Sequence, residues 1–173
     1  MSNNKYTEHS NSRILIMTAV QAEREAVERG LQHSDRFDVR IAGVGPAAAA
    51  ASTAYQLAEK NYDLVISAGI GGGFVPTAEI GDIVVANQMI YADLGAESPD
   101  GFISVDELGF GSSRLETENS LVERVVAAFQ RTGLTVVNGN VLTVSTATGT
   151  ATLPFYIKNA FLKLQQKQWR AMA

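Results

Sequence analysis

A chain of 173 residues, 46% hydrophobic and 18% charged, suits one soluble domain with a real core. Its net charge of −4 argues against a general affinity for nucleic acid, and no apolar run has the length of a membrane span or reads as a secretory signal. There is no cysteine, and His9 and His33 are the only histidines, so neither a disulfide framework nor thiolate chemistry nor a histidine-rich metal site is expected, and a cytoplasmic location is the default.

Residues 1–12 are polar and without periodicity and read as a disordered leader. Arg13 to Thr18, RILIMT, reads as a buried strand. Gln21 to Leu31 follows as a helix, with Ala22, Ala26, Val27 and Leu31 on one face, Glu23 and Glu25 in its first turn and Gly30 near its end. Phe37 to Ala42 is a second strand. Gly43-Val-Gly45-Pro46 then opens an alanine-rich helix, Ala47 to Lys60, whose small side chains allow a close approach to a sheet.

The next stretch, Asp63 to Val85, organises the chain. An apolar strand, Leu64 to Ser67, runs into Gly69, Gly71, Gly72 and Gly73, and a further strand begins at Gly81-Asp82. Glycines at this density let a backbone come close to a flat ligand; the plainer reading is a tight turn between packed strands. Tyr91 to Phe110 reads as a long, acidic, glycine-containing loop, a type often functional in compact domains. Thr117 or Ser120 can cap a helix to Arg131, with Leu121, Val122, Val125, Val126 and Phe129 as its apolar stripe and Gly133 ending it. Two short strands, Thr135–Val137 and Val141–Ser145, lead into the small-residue run Thr146–Thr150.

Strands alternating with helices predict an α/β architecture with a largely parallel sheet. Ligands bind such sheets where the C-terminal strand ends open into loops, which makes Thr18–Glu23, the glycine cluster and Thr146–Thr150 candidates for that rim. Gly43 to Ala48 matches the dinucleotide pattern G-x-G-x-x-A, but Asp63, the acid that would bind a ribose, precedes its strand; a close helix–strand turn explains the pattern. The glycine cluster fails the same pattern at Phe74. For Glu23 two readings compete: a carboxylate favoured at a helix start, or a rim carboxylate that holds and activates a water. Arg24, beside it in sequence, is the only cation near enough to cradle phosphate, so water is the better-supported nucleophile.

Taken in order, A-x-x-x-E (Ala19 to Glu23), G-V-G-P-A-A-A-A, A-G-I-G-G-G-F and E-I-G-D-I-V-V resemble the nucleoside phosphorylase/nucleosidase superfamily. Within it, Gly69–Phe74, Ala92–Phe102 and Val144–Thr150 are similar to the futalosine hydrolases, which cleave futalosine to hypoxanthine and dehypoxanthine futalosine on a route to menaquinone. The resemblance implies a three-layer fold around a mixed, largely parallel sheet, no cofactor or metal, a small-molecule nucleoside as partner, and self-association in the full-length family. It implies that Glu23 is the base for the attacking water. Ile70, Gly71 and Gly72 then lie beside the ribose, Thr148, Gly149 and Thr150 line the purine, and Asp93 and Leu94 lie near the 5′ substituent. Methylthioadenosine/S-adenosylhomocysteine-type nucleosidases and purine nucleoside phosphorylases are the enzyme alternatives, and a non-catalytic nucleoside-binding protein is the alternative outside enzymes.

The likeness is expected to cover residues 13–151 and then stop. The family pattern continues with a strand bearing E-x-M-E-G, whose last glutamate binds the ribose hydroxyls, and a later strand with the acid that protonates the purine; neither occurs here. Residues 152–173 hold Lys158, Lys163, Lys167, Arg170 and the only tryptophan, Trp169, with no acid. One choice of synonymous codons for Lys158–Ala173, read two bases later, spells KRLPEAAAEAMEGYG, which contains the missing motif. The expectation is therefore a domain lacking its C-terminal strand and helix elements, an out-of-frame basic tail and impaired activity; a basic amphipathic tail is the alternative.

Overall fold

The computed structural model describes residues 12–31, 34–74 and 77–147. Contacts divide the chain into two units, Met1–Gly72 and Gly73–Ala173.

The first unit is a βαβαβ array: β1 (Ile14–Thr18), α1 (Gln21–Leu31), β2 (Phe37–Ile41), α2 (Pro46–Glu59) and β3 (Leu64–Ser67). The strands run parallel in the order β2-β1-β3, with Ile14 opposite both Phe37 and Leu64. A central parallel strand is covered on both faces, so it is apolar throughout rather than alternating. Leu15, Ile16 and Met17 of β1 are buried accordingly, and Leu15 and Met17 join Ala42, Ala49 and Tyr62 in one cluster.

Turn chemistry aligns the strand ends. Gly43 and Gly45 both take positive φ, and a Cβ on Gly43 would lie 3.0 Å from Cβ of Ala48. The G-x-G-x-x-A segment is thus the close helix–strand turn, with Pro46 in the first turn of α2. Ser52 on α2 donates to the Ala42 carbonyl at 2.9 Å, fastening the helix to the exit of β2. At the opposite edge Asp63 accepts from the Arg13 amide at 2.7 Å, at the entry of β3 and away from the rim. Helix α1 differs from its expected face. Ala22 and Ala26 are exposed, while Val27 and Leu31 share their half-buried side with Glu23. The wheel has turned to bring that carboxylate inward.

The second unit contains β4 (Ile83–Tyr91), β5 (Gly95–Ser98), β6 (Gly101–Ser104), β7 (Arg114–Glu116), α3 (Asn119–Gln130) and β8 (Val136–Thr143). Its main sheet has the order β7-β4-β8, antiparallel on one side of β4 and parallel on the other, with an irregularity between Ala86 and Gln88. The α/β class is as expected, and β7 is what makes the sheet mixed. Three local expectations are corrected. The two short strands are one, because β4 supplies ladder partners straight through Asn138-Gly139-Asn140. The long loop contains the hairpin β5–β6. Its turn, Ser98-Pro-Asp-Gly101, is closed by the Ser98 hydroxyl, which donates to the Gly101 carbonyl at 2.8 Å, and by Gly101 at φ 119°. Finally, neither Thr117 nor Ser120 caps α3; Glu118 stands at the cap without a side-chain bond to the backbone, and the Thr117 amide is spent on the Asn87 carbonyl at 2.9 Å. The stripe of α3 is core as read, with Val122 buried and Leu121, Val125 and Val126 half-buried, while Phe129 lies at its margin.

Among the described residues no helix is long and apolar enough to cross a membrane.

Candidate functional site

The exits of β1 and β3 lie side by side because the two strands are parallel neighbours in register. From the exit of β1 the chain passes through Ala19 and Val20 into α1. The Val20 carbonyl accepts from the Arg24 amide at 3.1 Å, which makes Val20 the residue that caps the helix and Glu23 its third helical position. A glutamate there reaches back to the free amides at the helix start, the glutamate half of a capping box. Glu23 Oε2 accepts from the Ala19 amide at 2.9 Å and the Val20 amide at 3.2 Å. Its other oxygen, Oε1, accepts from the Ile70 amide at 2.8 Å, in the turn that follows β3. One carboxylate thus ties a helix start to the first glycine turn, 47 residues away.

These bonds set its charge. The Ile70 amide, the strongest single influence, holds the Glu23 carboxyl below the usual carboxylate range; burial pushes the other way, and the Ala19 and Val20 amides add to the lowering. Glu23 is therefore an anion at neutral pH. Each carboxylate oxygen accepts about two hydrogen bonds, so Oε2 is filled by protein, while Oε1 has a single partner among the described residues. Of the two readings of Glu23, the helix-start role is seen directly in the bonds from the Ala19 and Val20 amides.

Around this carboxylate the glycine stretch is open. Ile70 is 92% exposed, and a Cβ at Gly71 or Gly72 would meet nothing within 4 Å. Arg24 is held by Glu28 through Nε at 2.8 Å, and Glu25 by Gln21 at 2.7 Å, so the neighbouring charges on α1 are engaged away from Glu23. The sequence reading missed Gly69. A Cβ there would stand 2.8 Å from Glu23 Oε1. The glycine run marked the region, but nothing local tells which glycine touches the carboxylate.

In the second unit Asp93 follows the end of β4, and its carboxylate accepts from the Ser145 amide at 2.5 Å, just beyond the end of β8. The two strands are parallel, so Asp93 joins two C-terminal ends across their seam. Leu94 is half-exposed, and its carbonyl accepts from the Val105 amide at 3.0 Å. Thr148, Gly149 and Thr150 lie outside the described residues, as does the 152–173 tail. Among the described residues no three His, Cys, Asp or Glu side chains gather as metal ligands.

The chain is similar to known proteins in sequence and in fold. A futalosine hydrolase of Streptomyces coelicolor is 47% identical over 158 residues, covering 80% of this chain and 65% of the relative. One of Acidothermus cellulolyticus is 46% identical over 149 residues, covering 79% of this chain and 61% of the relative. The chain thus spans a little under two thirds of the length of these relatives. Among solved structures, a 5′-methylthioadenosine/S-adenosylhomocysteine nucleosidase of Neisseria meningitidis superposes with a TM-score of 0.71 at 18% identity, over 88% of this chain and 73% of the other. The native futalosine hydrolase of Helicobacter pylori gives 0.69 at 17%, over 89% and 73%. These structures share the fold. The profile described as Phosphorylase superfamily matches residues 15–159, past residue 151 where the sequence reading ends the likeness. The strand exits, the Glu23 carboxylate and the glycine turn all fall inside that span, and the chain belongs to the phosphorylase superfamily.

Proposed function

We propose that this chain is a nucleosidase that hydrolyses the N-glycosidic bond of futalosine, releasing hypoxanthine and dehypoxanthine futalosine. The observation that carries the chemistry is the Glu23 carboxylate, anionic, anchored by three backbone amides and with a single partner on Oε1 among the described residues, beside an open glycine turn. As the glycosidic bond breaks, the ribosyl carbon gains oxocarbenium character, and the water that joins it becomes strongly acidic. A carboxylate of low basicity then suffices to take the proton, and its charge stabilises the cationic sugar in the transition state. Water is preferred to phosphate as nucleophile because Arg24, the cation nearest in sequence, is bonded to Glu28. Ile70, Gly71 and Gly72 border the ribose in this reading, Thr148–Thr150 the purine, and Asp93 and Leu94 the 5′ side.

Futalosine is favoured over methylthioadenosine by the length of the likeness. It runs over 158 residues to a futalosine hydrolase but only 52, at 40% identity, to a 5′-methylthioadenosine/S-adenosylhomocysteine nucleosidase of Geobacillus. On the resemblance alone the reading extends to a step of menaquinone formation, a cytoplasmic place of action and self-association, with no nucleic-acid partner. For residues 152–173 it extends to an out-of-frame reading of the gene.

The test is base release. The chain, and the product of the gene read in the shifted frame, are incubated with futalosine, and hypoxanthine is followed by chromatography with and without phosphate. Hypoxanthine release independent of phosphate is the expected result. Phosphate-dependent release, or faster adenine release from methylthioadenosine, overturns the substrate reading; tight purine binding without turnover in both products favours a non-catalytic binding protein. Sequencing the codons for residues 150–173 decides the origin of the tail.

A further inference from the structure

The surroundings of Glu23 are unequal on its two oxygens. Oε2 is enclosed by the Ala19 and Val20 amides at 2.9 and 3.2 Å, and Oε1 has the Ile70 amide at 2.8 Å. Gly69 lies against the same group: a Cβ there would be 2.8 Å from Oε1, 3.2 Å from Cδ and 3.3 Å from Oε2. At Gly71 and Gly72 the same atom would meet nothing within 4 Å. Gly69 is also absent from the glycines with positive φ, so its backbone does not call for glycine. What calls for glycine is space. The displaced neighbour is the tip of a flexible side chain, so a methyl group at residue 69 leaves the strands intact and moves the carboxylate.

We propose that Gly69 is a positioning residue for Glu23: its missing side chain seats the carboxylate on the Ile70 amide and leaves Oε1 as the one oxygen that receives the water's proton. The choice of oxygen rests on the proposed hydrolysis; the seating does not. The charged groups nearest on α1, Arg24, Glu25 and Glu28, are bonded to one another or to Gln21. From the exits of β1 and β3, Thr18–Val20 and Ala68–Gly72 bring no titratable side chain.

The experiment is a carbon-detected NMR titration of the Glu23 carboxyl together with the Ile70 amide proton, on the full chain and on Gly69→Ala. In the unsubstituted chain the Ile70 amide follows the ionisation of Glu23. In Gly69→Ala the carboxyl midpoint rises toward that of an ordinary glutamate and the Ile70 amide stops following it. Gly71→Ala leaves the Glu23 midpoint in place. Where base release is measurable, kcat in Gly69→Ala falls about 100-fold, the scale of an ångström-level misplacement, KM changes less, and the acidic limb of kcat moves with the NMR midpoint. An unchanged Glu23 midpoint in Gly69→Ala overturns the proposal, as does a shifted midpoint with unchanged kcat. If Gly69→Ala does not fold, the unsubstituted chain decides: an Ile70 amide blind to the ionisation of Glu23 refutes the seating. A chain that releases no base fails the hydrolysis reading, and the NMR result stands apart from it.

Discussion

Glu23→Gln removes one charge and replaces one acceptor oxygen with an NH2 group, at a site where three backbone amides all need acceptors. If the remaining oxygen faces Ala19 and Val20, the NH2 meets the Ile70 amide donor to donor; turned over, it meets the other two. At least one charge-assisted bond is lost in either orientation. Such bonds contribute about 1.5–3 kcal/mol when buried and less where solvent screens them. Glu23 is half-buried, and a carboxylate in a helix's first turn contributes about 0.3–1 kcal/mol through the helix dipole, so with the lost bond a loss of about 1–2 kcal/mol is expected. For a chain of this size each kcal/mol moves the melting midpoint by about 2–4 °C. Urea and thermal melts of both proteins from neutral to acidic pH measure this. The native carboxyl lies below its unfolded value, so its contribution is fully present above the unfolded carboxylate range and disappears as pH falls through the native value. The gap between the two proteins must therefore close in that acidic window. A gap that ignores pH, or none at neutral pH, refutes the anchored-carboxylate account. In the proposed reaction the same substitution lowers base release by about 10²–10⁴-fold, the usual contribution of a positioned acid or base.

Asp93→Ala removes the acceptor of the Ser145 amide and is expected to raise KM about 10-fold, while Asp93→Asn, which keeps an acceptor, restores most of it; equal effects of the two in steady-state assays would show that the bond is not what matters. Gly95→Ala places a Cβ 2.1 Å from the Ile103 carbonyl oxygen and 2.6 Å from Phe102 Cζ, so the β5–β6 hairpin loses about 1–3 kcal/mol and becomes the first site of limited proteolysis. Burial alone would raise the Asp38 carboxyl, yet the Tyr62 hydroxyl at 2.9 Å, with Lys60 and Arg40, brings it below the usual range. Tyr62→Phe should therefore raise the Asp38 midpoint by NMR. It should also cost about 1 kcal/mol in urea melts above the ordinary carboxylate range, a loss that shrinks as pH falls through the native midpoint of Asp38.

The first unit was largely legible in the chain. RILIMT is apolar without alternation because a central parallel strand is covered on both faces, and Gly43, Gly45 and Pro46 announce the turn into α2. Glu23 could be picked out because it stands one helical turn beyond a strand exit. What could not be read was its partner. The Ile70 amide reaches it only through the pairing of β1 with β3, a contact between segments 47 residues apart. The second unit hid more for the same reason. Asn138-Gly139-Asn140 is locally a turn signal, and the long neighbour β4 overrides it. Arg114–Glu116 is too short to show a period. The β5–β6 hairpin did carry its signal, Ser98-Pro-Asp-Gly101, inside a stretch whose acids and glycines spoke for an open loop.

The alignment of β1 with β3 has one more consequence. Moving β3 along β1 by a single residue would shift the Ile70 amide by about 3.3 Å and carry it out of reach of Glu23. The ladder that holds the two strands in register, from Ile14 opposite Leu64 to Met17 opposite Ser67, therefore governs the ionisation of a group that lies beyond its end. Substitutions deep in this sheet should be sorted by how they move that carboxyl's titration as well as by how they lower the melting point.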